Sequence, residues 1–304
     1  MRTVYFVTGL EYGAPDNETK YLTSALKDRG IASKVEAWDD PEVDWGKSCL
    51  AINRTTSTYA LRPNEFLEWA RRVEAVTTLW NSRKVIEWNY HKGYLLELQK
   101  AGVSIPPTIL VKQDTKEPIS SHLEDKNWDE IIIKPAITAG SLGLKRIKSD
   151  SPEAETHLQS LIQSGYTQVI PNAGEYTIPK GDALIQQYLP EIITTGEASL
   201  IYFGGEYSHS VIKKVKSGDF RAHPLWGANV EAYEASALER QVADAALDVV
   251  GESIEYARID MLMTKDGPVI IEVELIDPWL FFDLFPNTVE TYVSHIANYV
   301  KTCA

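Results

Sequence analysis

The chain has 304 residues, with 30 Lys and Arg against 43 Asp and Glu, which gives a formal net charge of -13 at pH 7. This acidic balance argues against broad binding to nucleic acids or anionic membranes, because both need a basic surface, although a local group of Lys and Arg can still bind one nucleotide. Two cysteines, Cys49 and Cys303, are too few for a disulfide framework and favour a reducing, cytoplasmic location. No stretch reaches the roughly 18 uninterrupted apolar residues of a membrane span.

The first third of the chain alternates strand and helix patterns. Predicted strands cover residues 3–9, 31–38 and 48–53, and predicted helices cover residues 17–29 and 63–76. This alternation predicts a small α/β unit with a parallel sheet. Because ligands of such sheets bind at the carboxyl ends of the strands, the loops at residues 9–15 and 54–62 are candidates for contacting a substrate.

The remainder of the chain favours hairpins and separate helices. The predicted elements are a helix at 93–101, an extended run at 103–108, a short helix within 113–129, strands at 130–135 and 144–148 around a Gly-rich loop at 136–143, a helix at 151–164, a strand at 183–190, a hairpin of 197–203 and 207–214, a helix at 235–250, a hairpin at 258–277 and a helix at 288–301.

The hairpin at residues 258–277 carries an unusual set of acidic residues. Side chains alternate along a strand, so Glu272 and Glu274 are predicted on one face and Ile271, Val273 and Leu275 on the other. An Asp-Gly turn at residues 266–267 brings Asp260 on the partner strand towards the acidic face.

Three carboxylates that converge repel one another unless a cation lies between them. Oxygen ligands of this kind suit Mg²⁺, which predicts a metal site at Asp260, Glu272 and Glu274. The alternative is a hairpin whose acidic face is simply solvated.

Several cationic residues could meet a phosphate. Lys134 ends an apolar strand and precedes the Gly-rich loop, where a bound phosphate would balance its charge; alternatively its side chain extends to solvent. The loop fits neither the Walker A spacing nor the dinucleotide fingerprint. Lys92, taken alone, has the pattern of an ordinary solvated lysine before a helix.

Arg258 lies two residues before Asp260, so both side chains face the same side of a strand. An arginine there can hold a transferred phosphoryl group or an oxyanion, or it can merely neutralise Asp260. Lys213 and Arg221 add positive charge close to the hairpin in sequence. His209 and His223 are the histidines nearest to this predicted site, and neither has metal-ligand or triad spacing. A Gly-x-Ser-x-Gly motif is absent from the sequence, so nucleophilic hydrolysis is unsupported.

Residues 88–283 together resemble the ATP-grasp superfamily of carboxylate ligases. The ordered motifs are Lys92 before a helix, Ile-Lys-Pro at 133–135, Gln-Gln-Tyr-Leu-Pro at 186–190, Gly-Glu-Ala-Ser-Leu at 196–200, Arg-Ile-Asp at 258–260 and Ile-Glu-Val-Glu at 271–274. The resemblance implies an α+β fold with an N-terminal α/β unit, in which a nucleotide is held between two antiparallel sheets. The implied domains are residues 1–88 on the substrate side, 89–182 as a central, lid-like subdomain, and 183–304 with the metal site.

The same resemblance implies roles for individual residues. Lys92 and Lys134 would hold the ATP phosphates, under a closing loop of Ser141, Leu142 and Gly143. The strap along the adenine would be Gln186, Gln187, Tyr188 and Leu189, with backbone groups of Gln187 and Leu189 at its edge. Glu197 would bind the ribose hydroxyls, and Glu191 is a second candidate. Asp260, Glu272 and Glu274 would bind two Mg²⁺ ions, or Mn²⁺, and Glu274 stands where many members have Asn.

A narrower resemblance is to the cyclo-ligases of this superfamily that close the ring of an O-ureido amino acid. It rests on Trp-Asp-Asp-Pro at 38–41, Arg-Pro-Asn-Glu-Phe-Leu at 62–67, Phe-Gly-Gly-Glu-Tyr-Ser-His at 203–209, Gly-Asp-Phe-Arg at 218–221 and Glu-Val-Glu-Leu-Ile-Asp-Pro at 272–278. Residues 55–59 depart from it, since they read Thr-Thr-Ser-Thr-Tyr where Ser-Thr-Trp-Asp-Tyr is expected. That departure leaves the substrate open.

Three functions are therefore compatible with the sequence. The first is a ligase that activates a small amino-acid-like carboxylate as an acyl phosphate and couples it to an amine, with Arg258, Arg221 and Lys213 at the reacting centre and residues 89–181 as a lid. The second is the intramolecular cyclo-ligase, and the third is an ATP-binding module without catalysis. A small-molecule substrate is the expected partner, nucleic acid and membrane are not, and a homodimer is compatible with the sequence.

Overall fold

The computed structural model describes residues 3–170 and 174–303. Its N-terminal unit contains β1 (Thr3–Thr8), α1 (Asn17–Asp28), β2 (Ala32–Ala37), β3 (Leu50–Thr55), α2 (Pro63–Glu74), β4 (Thr78–Trp80) and α3 (Arg83–Asn89). The strands form a parallel sheet in the order β2-β1-β3-β4, which confirms the predicted α/β unit. The side chain of Asp16 caps α1 by accepting the N–H of Thr19, and α1 buries Leu22 and Leu26. The sequence prediction missed β4 and α3.

The middle of the chain forms an antiparallel sheet with flanking helices. Its elements are α4 (Tyr94–Lys100), β5 (Thr108–Val111), α5 (Ile119–His122), β6 (Glu130–Pro135), β7 (Lys145–Lys148), α6 (Pro152–Gln159), β8 (Tyr166–Ile170), β9 (Gly174–Ile178) and β10 (Ala183–Gln187). The strand order is β5-β10-β6-β7, and β8 pairs with β9 separately. The predicted third domain began at residue 183, but β10 is hydrogen-bonded between β5 and β6 in the middle sheet.

A second antiparallel sheet follows. Its elements are α7 (Glu191–Thr194), β11 (Glu197–Phe203), β12 (Glu206–Lys214), β13 (Asn229–Tyr233), α8 (Ala237–Val250), β14 (Tyr256–Thr264), β15 (Gly267–Glu274) and α9 (Pro286–Thr302), with strand order β13-β12-β11-β14-β15. A capping box of Ser236 and Glu239 starts α8. The sheet shares a core with the N-terminal unit, since Tyr256 and Tyr292 pack in one cluster with Phe6 and Leu22.

The hairpin of β14 and β15 has the predicted position and an irregular register. Asp260 lies opposite Glu272, so the prediction that Asp260 approaches the acidic face is confirmed. A β-bulge follows, because Met261 pairs with Ile270 and leaves Ile271 as an extra residue. The prediction for Ile271 was therefore wrong: its side chain lines a cavity beside Glu272 instead of pointing away from it. In the described ranges, none of the helices combines the length and apolar character required for a membrane span.

Candidate active site

Two adjoining cavities lie where the two antiparallel sheets and the N-terminal unit meet. The larger, here called the charged cavity, has a volume of about 260 Å³, and the smaller, here called the strap cavity, has about 130 Å³. The residues that line both are Lys134, Ser141, Leu144, Glu197, Ala222 and Glu272. These shared walls place the two cavities next to each other, so a single elongated ligand can occupy both.

The strap cavity has both apolar and polar walls. Its lining includes Ile132 from β6, Leu262 and Ile271 from the late hairpin, and the predicted strap of Gln186, Gln187, Tyr188 and Leu189. The N–H of Gln187 donates to the carbonyl oxygen of Pro107 at 3.0 Å. Among the described residues the N–H of Leu189 has no acceptor, so this donor is available to a ligand at the edge of the cavity.

Three residues predicted beside the nucleotide line neither cavity: Leu142, Gly143 and Glu191. Leu142 packs in a cluster with Ile170 and Ile178. Glu191 begins α7 and does not line either cavity. Gly143 is also outside the lining: its φ is +71°, and a Cβ there would lie 2.8 Å from Pro135 Cγ. Its N–H donates to Gln168 Oε1 at 2.8 Å and its carbonyl oxygen accepts from His157 Nε2 at 2.8 Å. Gly143 therefore shapes the loop, while Ser141 and Leu144 face the cavities.

Two buried lysines enter the charged cavity from the middle of the chain. Lys92 is 7% exposed, and its Nζ donates to Glu272 Oε1 at 2.8 Å and to the carbonyl oxygen of Thr138 at 3.0 Å. Lys134, on β6, is 6% exposed. Burial lowers the pKa of Lys134 to about 8, while Glu272 acts in the opposite direction. The alternatives in which these lysines extend into solvent are wrong.

Lys134 differs from Lys92 in its contacts. In residues 3–170 and 174–303, the Nζ of Lys134 has neither a hydrogen bond nor an acidic partner within ion-pair distance. A buried ammonium group without a partner is costly unless a ligand supplies negative charge. Because Lys134 lines both cavities, an anionic group of a ligand would fit beside it, where the two cavities meet.

The three carboxylates of the hairpin are bound by cationic side chains. Arg258 donates from Nε to Asp260 Oδ1 at 3.0 Å and from Nη2 to Asp260 Oδ2 at 2.9 Å, and it also pairs with Glu274. Lys213 lies 3.4 Å from Asp260 Oδ2 and pairs with Glu197. Burial acts to raise the pKa of Asp260, but Arg258 and Lys213 hold it below its usual value. The pKa of Glu274 is raised by burial despite Arg258.

The metal site expected at these carboxylates stays a prediction. Within the described part of the chain, no three His, Cys, Asp or Glu side chains are arranged to hold a metal. Lys92, Arg258 and Lys213 supply the positive charge instead. The donor set is still chemically suitable for Mg²⁺, because Asp260 and Glu272 are cross-strand neighbours whose carboxylate oxygens line one cavity.

The segment after β12 brings further side chains over the cavities. Arg221 lines the strap cavity, pairs with Asp219 through Nε and Nη2 at 2.9 and 2.6 Å, and stacks on Trp226 at 3.5 Å. Trp226 Nε1 donates to the carbonyl oxygen of Gly140 at 3.1 Å, which links this segment to the Gly-rich loop. The role of Arg221 at the reacting centre stays a prediction.

The two histidines singled out in the sequence have different positions. His223 lines the charged cavity, and its Nδ1 accepts the N–H of Leu225 at 3.2 Å. Burial, followed by Lys213 and Arg258, lowers the pKa of His223 to about 4. His209 was expected near the site, but its ring is buried and donates from Nε2 to the carbonyl oxygen of Leu280 at 2.7 Å. It belongs to the core between the sheet and the N-terminal unit.

The N-terminal unit supplies one end of the charged cavity. The segments predicted to contact a substrate, residues 9–15 and 54–62, contribute Tyr12, Arg54, Ser57 and Tyr59 to the lining, and Arg54 itself lies near the end of β3. Asp277, which follows β15, lines the same end. The sequence analysis did not single out these side chains, although the strand-end rule identified the loops that carry most of them.

Comparisons with known proteins agree with this architecture. A family model described as RimK-like ATP-grasp domain matches residues 94–276, and a model described as D-cycloserine synthetase DcsG, N-terminal domain, matches residues 4–81. The chain is 28% identical to the cycloserine biosynthesis protein DcsG of Streptomyces lavendulae over 280 residues, which cover 87% of this chain and 88% of that protein. It is 22% identical over 150 residues to glutathione synthetase of Parasynechococcus marenigrum (strain WH8102), covering 49% of this chain and 43% of that protein.

Solved structures give the same result for the fold. The crystal structure of D-cycloserine synthetase DcsG superposes with a TM-score of 0.84 at 24% identity, over 98% of this chain and 99% of that chain. D-alanine–D-alanine ligase from Bacillus anthracis superposes with a TM-score of 0.68 at 12% identity, over 99% of this chain and 98% of that chain. The predicted ATP-grasp fold is confirmed.

Proposed function

Because the chain belongs to the RimK-like ATP-grasp family, we propose that it activates the carboxylate of a small amino-acid-like substrate as an acyl phosphate, which an amine then attacks. The chain is an ATP-grasp carbon–nitrogen ligase that forms ADP, and ATP-grasp ligases use ATP and Mg²⁺. The observation that carries the proposal is Lys134: its buried ammonium group has no partner among the described residues and lies at the junction of the two cavities.

The nucleotide spans the two cavities in this proposal. The base occupies the strap cavity, where the free N–H of Leu189 is available to its edge. Glu197, at the junction, binds the ribose hydroxyls. Lys134 and Lys92 bind the phosphates, and the arriving negative charge offsets the cost of keeping Lys134 buried and protonated.

Asp260 and Glu272, with Glu274, would hold the two Mg²⁺ ions, which when bound neutralise charge on the phosphates. The same carboxylates fix Arg258 in position. Asp260 occupies its Nε and Nη2, so Nη1, which has no partner in the described ranges, remains free to donate to the acyl phosphate and to the oxyanion formed by the attacking amine. Lys213 adds positive charge at the same wall.

Water must be kept from the acyl phosphate, because hydrolysis competes with the amine. The hydrogen bond between Trp226 and Gly140 joins two loops that line or border the charged cavity. We propose that these loops, with the middle domain, close over the bound substrates. The chemistry then depends on positioning and charge neutralisation and needs no side-chain nucleophile.

An intramolecular cyclo-ligase acting on an O-ureido amino acid is the second candidate. It is favoured by the match of residues 4–81 to the N-terminal domain model of D-cycloserine synthetase. The Thr-Thr-Ser-Thr-Tyr sequence at 55–59 argues against an identical substrate, because Ser57 and Tyr59 line the charged cavity. Ring closure predicts ADP release with the O-ureido amino acid alone, whereas ligation of two molecules requires an added amine.

The test is phosphate release by the purified protein with ATP, Mg²⁺ and panels of amino acids, small peptides and O-ureido amino acids. Asp260→Asn and Glu272→Gln are expected to lower substrate-dependent ADP release at least about 100-fold, because each removes a charged ligand or partner from the reacting centre. Asp266→Asn, in the exposed turn of the same hairpin, serves as the matched control.

Thermal unfolding of each variant separates loss of activity from loss of fold. Near-normal turnover in folded Asp260→Asn or Glu272→Gln would contradict the roles given to these carboxylates. ATP binding without substrate-dependent ADP release across all panels would favour a non-catalytic ATP-binding module instead.

A further inference from the structure

The end of the charged cavity formed by the N-terminal unit has no role in the proposed handling of ATP. Its walls come from the loops after β1 and β3 and from the segment after β15. The side chains there are Tyr12, Asp16, Arg54, Ser57, Tyr59 and Asp277. This end is here called the Asp277 end, and none of these six residues lines the strap cavity.

The Asp277 end differs from the rest of the cavity in having carboxyl groups without a Lys or Arg partner. Most carboxylates in the lining of the charged cavity have a Lys or Arg partner, namely Glu18, Glu197, Asp260, Glu272 and Glu274. Asp16 and Asp277 line the same cavity, and in the two described ranges neither has a cationic partner within ion-pair distance. Arg54 lies at the same end, but its ion pair is with Glu18, so a cationic group of a ligand can still pair with Asp277.

Asp277 is held in a fixed orientation. Its Oδ2 accepts the backbone N–H of Thr56 at 2.8 Å, which ties the segment after β15 to the loop after β3. Its second oxygen has no donor among the described residues. Burial, followed by the neighbouring Glu274, raises the pKa of Asp277 well above its usual value. A cationic ligand group beside Asp277 would favour the ionised form of this carboxyl group.

Tyr59 is an independent sign of a polar ligand. Its side chain is only 6% exposed, lines the cavity and stacks on Phe66 with ring centroids 5.2 Å apart. No hydrogen-bond partner for its hydroxyl is found in residues 3–170 and 174–303, and the oxygen is open to the cavity, so it is available to a ligand. Tyr59 also lies within electrostatic range of Asp277, so both groups face the same space.

We propose that Asp277 and Tyr59 bind the ammonium group of the amino-acid substrate, so that its carboxylate faces Arg258. An ammonium group offers three N–H donors, which fit a carboxylate oxygen and a tyrosine oxygen. Arg258 and Asp277 line the same cavity, and an α-amino acid carries its two charged groups on one carbon, so one substrate can contact both residues. The inference rests on the proposed ligase function and adds the class of substrate that is activated: one with a free amine beside the reacting carboxylate.

Asp277→Asn is the decisive variant, because the Asn side-chain oxygen can still accept the N–H of Thr56 while the negative charge is lost. Loss of a charged hydrogen bond predicts an increase of about 10- to 100-fold in KM for the amino acid. The KM for ATP should stay within about twofold, since the nucleotide lies at the other end of the cavities. Tyr59→Phe should raise the KM of the amino acid by about 3- to 10-fold.

The measurement specific to ammonium binding is the ratio of kcat/KM for an amino acid to kcat/KM for the same acid with hydrogen in place of the amine. Wild type should prefer the amino acid, and Asp277→Asn should remove most of that preference, which a merely structural role would not do. Asp283→Asn is the control, as this exposed carboxylate contacts Tyr21 on the outer surface.

An unchanged preference in Asp277→Asn would overturn the ammonium site and leave the ligase function standing. If wild type binds ATP, measured by calorimetry, but releases no ADP with any amino acid, small peptide or O-ureido amino acid, both proposals are overturned. The two failures are thus distinguished by the wild-type measurement alone.

Discussion

Lys134 shows how burial changes the behaviour of one side chain. Burial lowers its pKa to about 8, so in the free protein this lysine loses its proton as the pH rises through that value. Bound phosphate favours the protonated form. The affinity for ATP should therefore be nearly constant between about pH 6.5 and 7.5 and fall towards tenfold per pH unit above about pH 8. Calorimetric titration with a non-hydrolysable ATP analogue at constant ionic strength measures this dependence.

Lys134→Arg should remove the fall in ATP affinity above about pH 8, because a guanidinium group remains charged over the whole pH range. Lys148→Arg, at an exposed position of the neighbouring strand β7, is the matched control and should keep it. A fall in affinity above about pH 8 that persists unchanged in Lys134→Arg would assign the titration to another group.

The sequence predicted single residues well when their chemistry contrasted with their surroundings. Lys134 in an apolar strand and Asp260 on the hairpin are examples, and both line the charged cavity. Their partners could not be predicted, because alternation gives the face of a strand but not what lies opposite: Lys92 meets Glu272 from a distant helix start. Tyr59 and Asp277 were missed for the same reason, since their importance depends on a contact between two domains.

At the scale of elements, the edge strand β15 depends on side chains from the preceding helices. Tyr94 accepts the N–H of Val273 at 2.9 Å and donates to its carbonyl oxygen at 3.0 Å. Asn89 donates to the same carbonyl at 2.7 Å and accepts the N–H of Leu275 at 2.9 Å. These contacts satisfy the outer backbone groups of a strand that has a partner strand on one side only.

Tyr94→Phe should lower the free energy of unfolding by about 1 to 3 kcal/mol, because the buried N–H of Val273 loses its acceptor. Urea unfolding followed by circular dichroism measures the loss. Tyr5→Phe is the control: Tyr5 is also buried, but no hydrogen bond of its hydroxyl is found among the described residues. Equal stability of Tyr94→Phe and wild type would show that water replaces the lost contact.

Elements were predictable where a pattern repeats. The hairpin of β11 and β12, the helix α8 and the late hairpin follow from alternation, helical spacing and turn residues. The strands β4, β8, β9 and β13, each of five residues or fewer, were missed. Strands of this length are predicted only where a flanking signal marks them, as the Gly-rich loop marks β7 and Pro190 marks the end of β10. The bulge at Ile271 was not predictable either, since an extra residue in a strand leaves no mark in an apolar sequence.

At the scale of the whole molecule, the N-terminal unit and the C-terminal sheet are joined by a common core. α9 follows the second antiparallel sheet, yet its Tyr292 and Ile296 pack in the same cluster as Val4 and Phe6 of the N-terminal strand β1. This arrangement fixes the Asp277 end of the charged cavity relative to Arg258. The sequence predicted the helix but not its partner, because packing between distant segments depends on shape rather than on spacing.

The protonation of His209 can be used to test the stability of this shared core. Its Nε2 donates to the carbonyl oxygen of Leu280 at 2.7 Å, and its ring centroid lies 4.5 Å from that of Phe285. Burial lowers the pKa of His209 to about 4, from 6.5 in the absence of structure. The unfolded chain therefore binds more protons than the folded protein between these two pH values. The contribution of His209 to the free energy of unfolding is complete above about pH 6.5 and is lost as the pH falls towards 4.

The loss from His209 alone should reach roughly 3 kcal/mol at pH 4, at about 1.4 kcal/mol for each unit of pKa shift. His209→Gln keeps a donor for Leu280 but has no titrating ring, so its stability should fall less steeply between pH 6.5 and 4.5 than that of wild type. Urea unfolding at several pH values measures both slopes. His157, whose pKa burial also lowers to about 4, contributes a similar loss in the middle domain and remains in both proteins. The difference between the pH dependences of wild type and His209→Gln thus reports only on the core that joins the N-terminal unit to the sheet. Identical pH dependences would mean that this core opens before His209 is protonated.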